Sequence, residues 1–145
     1  MNAGGCLCGA VRYEVRGPIR GVLVCNCVEC RRWCGQAWAA TAARREAFAV
    51  TSDAALRWIA SPESDANARR GFCADCGSCL FWDAPGFEAV AISAGSLDDP
   101  AVLSVVGHTY VGQAADYETL PDDVPRHAAL PMEPTPGSSR SALDI

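Results

Sequence analysis

The chain has 145 residues, a formal net charge of −5 and hydrophobic side chains at 50% of its positions, enough to bury a core within one domain. All of its cationic side chains are arginines, scattered or in pairs, and with the acidic balance this excludes an extended nucleic-acid-binding face. No apolar run approaches the ~20 residues that span a bilayer, and residues 1–5 lack the basic and apolar stretches of an export signal, so a cytoplasmic protein is expected.

Residues 10–15 alternate apolar and polar side chains, the pattern of a half-buried strand. Gly17 and Pro18 turn the chain, and residues 19–25 predict a second strand that ends on Cys25, so the two are expected to pair as a hairpin. Gly4, Gly5 and Gly9 surround Cys6-Leu7-Cys8 with the loose backbone of a ligand-bearing turn. Residues 28–34 predict a short helix stopped by Gly35. Strands are expected over 36–41, 48–51 and 56–59, while the alanine-rich stretch 42–47 suits a helix equally well. Residues 61–67 are polar and read as a turn or loop, and Arg70-Gly71-Phe72 leads into a knuckle at Cys73 and Cys76.

Residues 80–82 and 89–93 predict strands joined through 83–86. A turn follows at 95–100, and 108–111 is the last predicted strand. Beyond residue 122 the composition shifts to proline, serine and charge. The chain is therefore divided into a zinc-binding domain, 1–122, and a proline-rich tail, 123–145, whose end, 131–145, is expected to be disordered. Many short strands with glycine and proline turns make the expected fold mainly β with little helix.

Nine cysteines in a secreted chain would suggest disulfides. Here the count is odd and most fall in C-x-C and C-x2-C pairs, which in a reducing compartment read as metal ligands. Cys6-x-Cys8 and Cys73-x2-Cys76 are two bidentate units that together make a closed four-cysteine zinc site, a contribution to folding. Cys79 is an alternative to Cys76, although Gly77 suits a knuckle after Cys76 and Cys79 abuts a strand. Cys25, Cys27 and Cys30 supply three thiolates, one short of a structural shell and the number expected of a catalytic zinc. Cys34, four residues after Cys30 on the predicted helix, would close that shell and make it structural, and spacing leaves both readings open.

Gly5-Cys6-Leu7-Cys8-Gly9-Ala10-Val11, Cys25-Asn26-Cys27-Val28-Glu29-Cys30-Arg31-Arg32 with Gly35, Phe72-Cys73-Ala74-Asp75-Cys76-Gly77 and Gly95-Ser96-Leu97-Asp98-Asp99-Pro100 together resemble the GFA family. This is the family of glutathione-dependent formaldehyde-activating enzyme, related to centromere protein V, and the likeness covers about residues 4–117. The resemblance implies a β-tent fold of stacked antiparallel sheets with zinc sites, as in methionine-R-sulfoxide reductase B. It implies a structural zinc on Cys6, Cys8, Cys73 and Cys76, and a second, open zinc on Cys25, Cys27 and Cys30 that accepts the thiol of glutathione. In such sequences the position of Cys34 usually holds a small residue, which gives Cys34 a packing role. The implied activity is a carbon–sulfur lyase read in reverse, joining formaldehyde to glutathione. Asp116-Tyr117-Glu118 stands where relatives often carry a tryptophan, so the thiol or aldehyde can differ.

A substrate with two carboxylates needs cations. Arg31 and Arg32 follow Cys30, while Arg69 and Arg70 precede Phe72, so both pairs are expected near metal. Arg31, Arg32 and Arg70 are the candidates for those carboxylates, against the plainer reading of solvated or salt-bridged arginines. His108 and His127 are each a candidate ligand or proton carrier, although His108 at a strand reads as a packed residue and His127 as an exposed one. Trp33, Trp38, Trp58 and Trp82 are expected in the core, Trp33 and Trp38 also flanking the site. The expected partners are a small thiol and an aldehyde, with no nucleic acid and no membrane; the oligomeric state stays open, a homodimer included. Two other functions remain on the sequence: a zinc-stabilised β-tent binding module without turnover, and methionine sulfoxide reduction, for which Cys34 or Cys79 would have to be the reactive thiol.

Overall fold

The computed structural model describes residues 1–62, 64 and 66–131, so the tail expected to be disordered lies outside the described residues beyond Pro131. A three-stranded sheet takes β1 (Asn2–Gly5), β2 (Arg12–Val15) and β5 (Phe48–Ser52) in that order. A seven-stranded sheet runs β10 (Val105–Thr109), β3 (Val22–Cys25), β4 (Trp38–Arg44), β9 (Ala89–Ser93), β8 (Cys79–Asp83), β7 (Arg69–Cys73) and β6 (Leu56–Ala60). The one α-helix among the described residues, α1, spans Val28–Cys34 as the sequence predicts, and the fold is mainly β. Neighbouring strands pair antiparallel except β10, which runs parallel to β3.

The hairpin expected from the first two predicted strands does not form. β2 pairs with β1 and β5, and β3 pairs with β4 and β10 in the other sheet. The side chains explain the separation. In β2 only Tyr13 and Val15 turn inward, whereas β3 is a continuous apolar run, which belongs inside a covered sheet. Two strands escape the sequence pattern altogether: β1 has no β-branched residue, and β7 opens on two arginines. The alanine-rich stretch divides. Ala40, Thr41, Ala42 and Ala43 are all at most 4% exposed within β4, a central strand covered on both faces, and Arg45–Ala47 forms a 3-10 turn. The last strand starts three residues and ends two residues earlier than predicted, its end set by Tyr110, which takes a left-handed φ of 53°.

Alternation along the central strands gives the large sheet two different faces. Ala43, Phe81, Val90 and Ile92 face the small sheet and pack with Val11, Tyr13, Val15, Leu80 and Leu97. Tyr13 meets Phe81 edge-on at 5.3 Å, and its hydroxyl lies 2.8 Å from Ser96 Oγ. Burying an aromatic or aliphatic side chain of this size contributes roughly 1.5–3 kcal/mol. Trp38, Ala40, Trp82 and Ala91 form the second cluster with Cys25, Cys27, Cys30 and Cys34, on the side of α1. Trp58 stacks on Phe81 at 5.9 Å, and Trp33 meets Phe72 edge-on at 5.6 Å.

Residues 125–127 return to the large sheet. His108 N–H donates to Pro125 O and His127 N–H to His108 O, both at 2.8 Å. His127, expected to be exposed, is therefore half-buried beside Gly107. Among the described residues no helix is long and apolar enough to cross a membrane.

Candidate metal centres

The first thiol group forms where turns from the two sheets meet. Cys6 and Cys8 lie in the turn after β1, where Cys6 N–H donates to Val11 O at 3.0 Å and Gly9 N–H to Cys6 O at 3.1 Å. Cys73 ends β7 and Cys76 lies in the following turn, closed by Gly77 N–H on Cys73 O at 2.8 Å. Gly77 has φ +76°, a left-handed backbone that side chains rarely adopt. The four sulfurs lie within 4.8 Å of one another, with Cys6–Cys8 at 3.5 Å and Cys8–Cys73 at 3.8 Å. A tetrahedral zinc with sulfur bonds of about 2.3 Å spaces its ligands about 3.8 Å apart, so donor set and spacing fit such a cation. Val11 N–H donates to Cys6 Sγ at 3.2 Å, and Ser78 Oγ lies 3.2 Å from Cys76 Sγ. The Ser78 hydroxyl and backbone bonds hold the Cys76 thiol well below its ordinary range, at about 5.

The second group comes from a single six-residue stretch. Cys25 ends β3, Cys27 caps the N-terminus of α1, and Cys30 lies in the first turn of that helix, 4% exposed. Cys30 N–H donates to Cys27 Sγ at 3.4 Å, so the capping side chain is itself one of the three thiols. The intervening Asn26 is fully buried; its backbone N–H and its Nδ2 both reach Thr109 O at 3.0 Å. Val28 N–H donates to Gln113 Oε1 and Ala37 N–H to Glu118 Oε1, at 3.0 and 3.2 Å. The parallel strand β10 and the segment after it thus hold both ends of the cysteine turn. The three sulfurs lie within 4.8 Å of one another, and no fourth cysteine, histidine or carboxylate among the described residues joins them.

Charge is concentrated on this second group. Arg70, 4% exposed, points its Nη1 and Nη2 at Cys30 Sγ at 3.6 and 3.8 Å. Its Nε donates to Ser61 Oγ at 3.1 Å and its Nη2 to Glu29 Oε2 at 3.3 Å, and Ser61 donates to the same carboxylate oxygen at 2.8 Å. Burial works against the Arg70 charge. The Cys30 sulfur and the Glu29 carboxylate outweigh it and hold the guanidinium above its ordinary value. Among the thiols, hydrogen bonds from Cys25 and Cys30 pull Cys27 far below the usual thiol range, and Cys30 is pushed up in return. Cys25 is pushed up as well, so the shifts favour a thiolate at Cys27 alone of the three.

The family of glutathione-dependent formaldehyde-activating enzyme matches residues 1–113. The chain belongs to that family. Among solved structures it is similar to the crystal structure of a Rhodobacter sphaeroides protein determined as a structural-genomics target. The TM-score is 0.51 at 27% identity, over 66% of this chain and 87% of that one. No curated protein matched.

In this GFA-family chain the seven cysteines singled out by spacing come together as two groups, four and three. Cys34 stays outside the second group and Cys79 outside the first; these two side chains interact with each other instead, and Cys79 Sγ lies 3.4 Å from Trp33 O. Arg31 and Arg32 occupy the last turn of α1, Arg31 half-buried and Arg32 exposed, where they also complement the helix dipole. Arg69 turns to Asp83, at 2.8 Å, and lies over Trp58. His108 packs at 7% exposure and is in neither group. Ser61, Glu29, Asn26, Thr109 and Gln113 were not singled out by the sequence. Of these, Asn26 and Glu29 lie inside the Cys25–Cys30 cluster, which is the local signal they carried. A surface depression lined by Arg44, Arg45, Phe87 and Glu88 holds none of the cysteines.

Proposed function

We propose that this GFA-family chain is a zinc-dependent carbon–sulfur lyase or synthase of the cytoplasm. It joins a small thiol of the glutathione type to an aldehyde such as formaldehyde, or cleaves the adduct. In the joining direction the thiol S–H bond breaks, the sulfur bonds to the carbonyl carbon, and the aldehyde oxygen gains a proton. The observation that carries this reading is the three-sulfur group at Cys25, Cys27 and Cys30. A tetrahedral cation takes four donors, and the described residues offer three, so a zinc held there would take its fourth from solvent or substrate. Zinc at those sulfurs would supply a Lewis acid that makes a bound thiol a thiolate at neutral pH.

The chain's own residues do the rest. Cys6, Cys8, Cys73 and Cys76 would hold the structural zinc. Arg70 balances negative charge on Cys30, at 3.6 Å. Arg31 and Arg32, on the helix that carries Cys30, are placed to meet the carboxylates of the thiol. The indole N–H of Trp38, 7% exposed and packed against Cys25 and Cys27, has no hydrogen-bond partner among the described residues. It is a donor for the aldehyde or hydroxymethyl oxygen. Binding both reactants there gains rate by proximity alone.

Two measurements test the reading. Metal analysis of the purified chain should give two zincs, falling to one in Cys27→Ser with the fold intact. Exchange between formaldehyde and glutathione followed by NMR should be faster with wild type than with Cys27→Ser. A single zinc in wild type, or exchange no faster than buffer, would leave a zinc-stabilised binding module.

A further inference from the structure

The two cysteines that neither thiol group uses meet each other. Cys34 is the last residue of α1 and Cys79 the first of β8, and their side chains interact. Cys79 Sγ also donates to Trp33 O at 3.4 Å, the carbonyl of the peptide leading into Cys34. Both residues are half-buried. Gly35 ends the helix in a left-handed conformation, and the β7–β8 register shifts between Gly71 and Phe72, the partner of Cys79.

We propose that Cys34 and Cys79 are a redox pair that exchanges with low-molecular-weight disulfides of the glutathione type and closes reversibly to an intramolecular disulfide. The Cys79 thiolate attacks one sulfur of the small disulfide, breaks its S–S bond and releases one small thiolate. Cys34 then loses its proton and attacks the Cys79 sulfur, forming the protein S–S bond as the second small thiolate leaves. Two protein thiols are oxidised, one small disulfide is reduced to two thiols, and the two protons end on those thiols. The neighbouring Cys34 and, against burial, the Arg70 charge lower the Cys79 thiol to about 7, which suits it to be the attacking sulfur. Cys34 lies one helical turn beyond Cys30, so oxidation would pin α1 directly behind the second thiol group. The exchange does not depend on the aldehyde chemistry proposed above, because its sulfurs lie outside both groups.

The test is disulfide mapping on the full-length, zinc-loaded protein. It is incubated with glutathione disulfide, alkylated, digested and analysed by mass spectrometry. The expected result is one cross-linked peptide pair joining Cys34 to Cys79, with zinc content unchanged and the link reversed by reduced glutathione. Cys34→Ser should instead accumulate a glutathione adduct on Cys79, and Cys79→Ser should give no cross-link. Absence of the link in wild type would overturn the proposal, as would a link from either residue to one of the seven grouped cysteines, or a link that forms only after zinc is lost.

Discussion

Replacing Arg70 by glutamine removes the cation that faces Cys30 and keeps a hydrogen-bond donor of similar reach. At 3.6 Å and an effective dielectric of about 20, a full charge pair is worth about 4–5 kcal/mol. Burying the guanidinium, 4% exposed, offsets a large part of that, since desolvation is the first effect acting on it. The net loss expected for a residue that orients and charges a metal ligand is about 10- to 100-fold in affinity, or about 1.4–2.8 kcal/mol. Glu29 would also lose a partner, though it keeps the bond from Ser61, so the fold should survive. The assay is chelator competition on the two-zinc protein, with release followed as two steps. Arg70→Gln should move the weaker step by that factor and leave the other in place, and Arg70→Lys should fall between. An unmoved weaker step, or both steps moving together, would refute the assignment of Arg70 to the second site.

Cys73→Ser should leave the chain unfolded: a structural zinc contributes about 10–16 kcal/mol, as much as the roughly 5–15 kcal/mol that stabilises a whole domain. Circular-dichroism melting that placed Cys73→Ser level with Cys27→Ser would contradict this. Asp83, 6% exposed between Arg45 and Arg69 at 2.6 and 2.8 Å, has its carboxyl held below the usual range by those two guanidinium groups in spite of its burial. Its stabilisation is therefore present above the unfolded carboxylate value of about 4 and is lost as pH falls through the folded one. Asp83→Asn should cost about 1–3 kcal/mol at neutral pH, with urea midpoints of wild type and variant converging in acid; a gap independent of pH would count against it. A Cβ at Gly4 would overlap the Tyr13 hydroxyl and the Ser96 carbonyl. Gly4→Ala should therefore lower stability by about 1–3 kcal/mol, and an unchanged melting temperature would mean that β1 can shift.

Local grammar made the cysteine groups legible. C-x-C and C-x2-C pairs specify turns through their own backbone bonds, as in Gly77 N–H to Cys73 O, and the helix between Val28 and Cys34 carried its own stop in Gly35. What stayed hidden depends on distant partners. β1 is a strand because Tyr13 lies against Gly4, and the alanines of β4 are strand because both faces of that strand are covered. Ser61 looked like the start of a polar loop, yet it bonds Glu29 and Arg70 from the end of β6. No pattern within residues 61–67 contains that information, since it exists only once β6 and β7 pair. The meeting of Cys34 with Cys79 is hidden for the same reason.

The two thiol groups differ in what they give the fold. The first joins segments 65 residues apart, as in the Cys8–Cys73 contact, so a cation there closes a long loop and cannot bind until both sheets are in place. The second draws all three sulfurs from residues 25–30 and closes almost no loop, so it adds little stability by that route. Yet the chain surrounds it with a buried arginine and a carboxylate, groups that cost desolvation and of a kind that apolar residues often replace without loss of stability. Charges kept where they do not favour folding serve the sulfurs they face. That asymmetry supports the proposed division into a scaffold site at Cys6, Cys8, Cys73 and Cys76 and a working site at Cys25, Cys27 and Cys30.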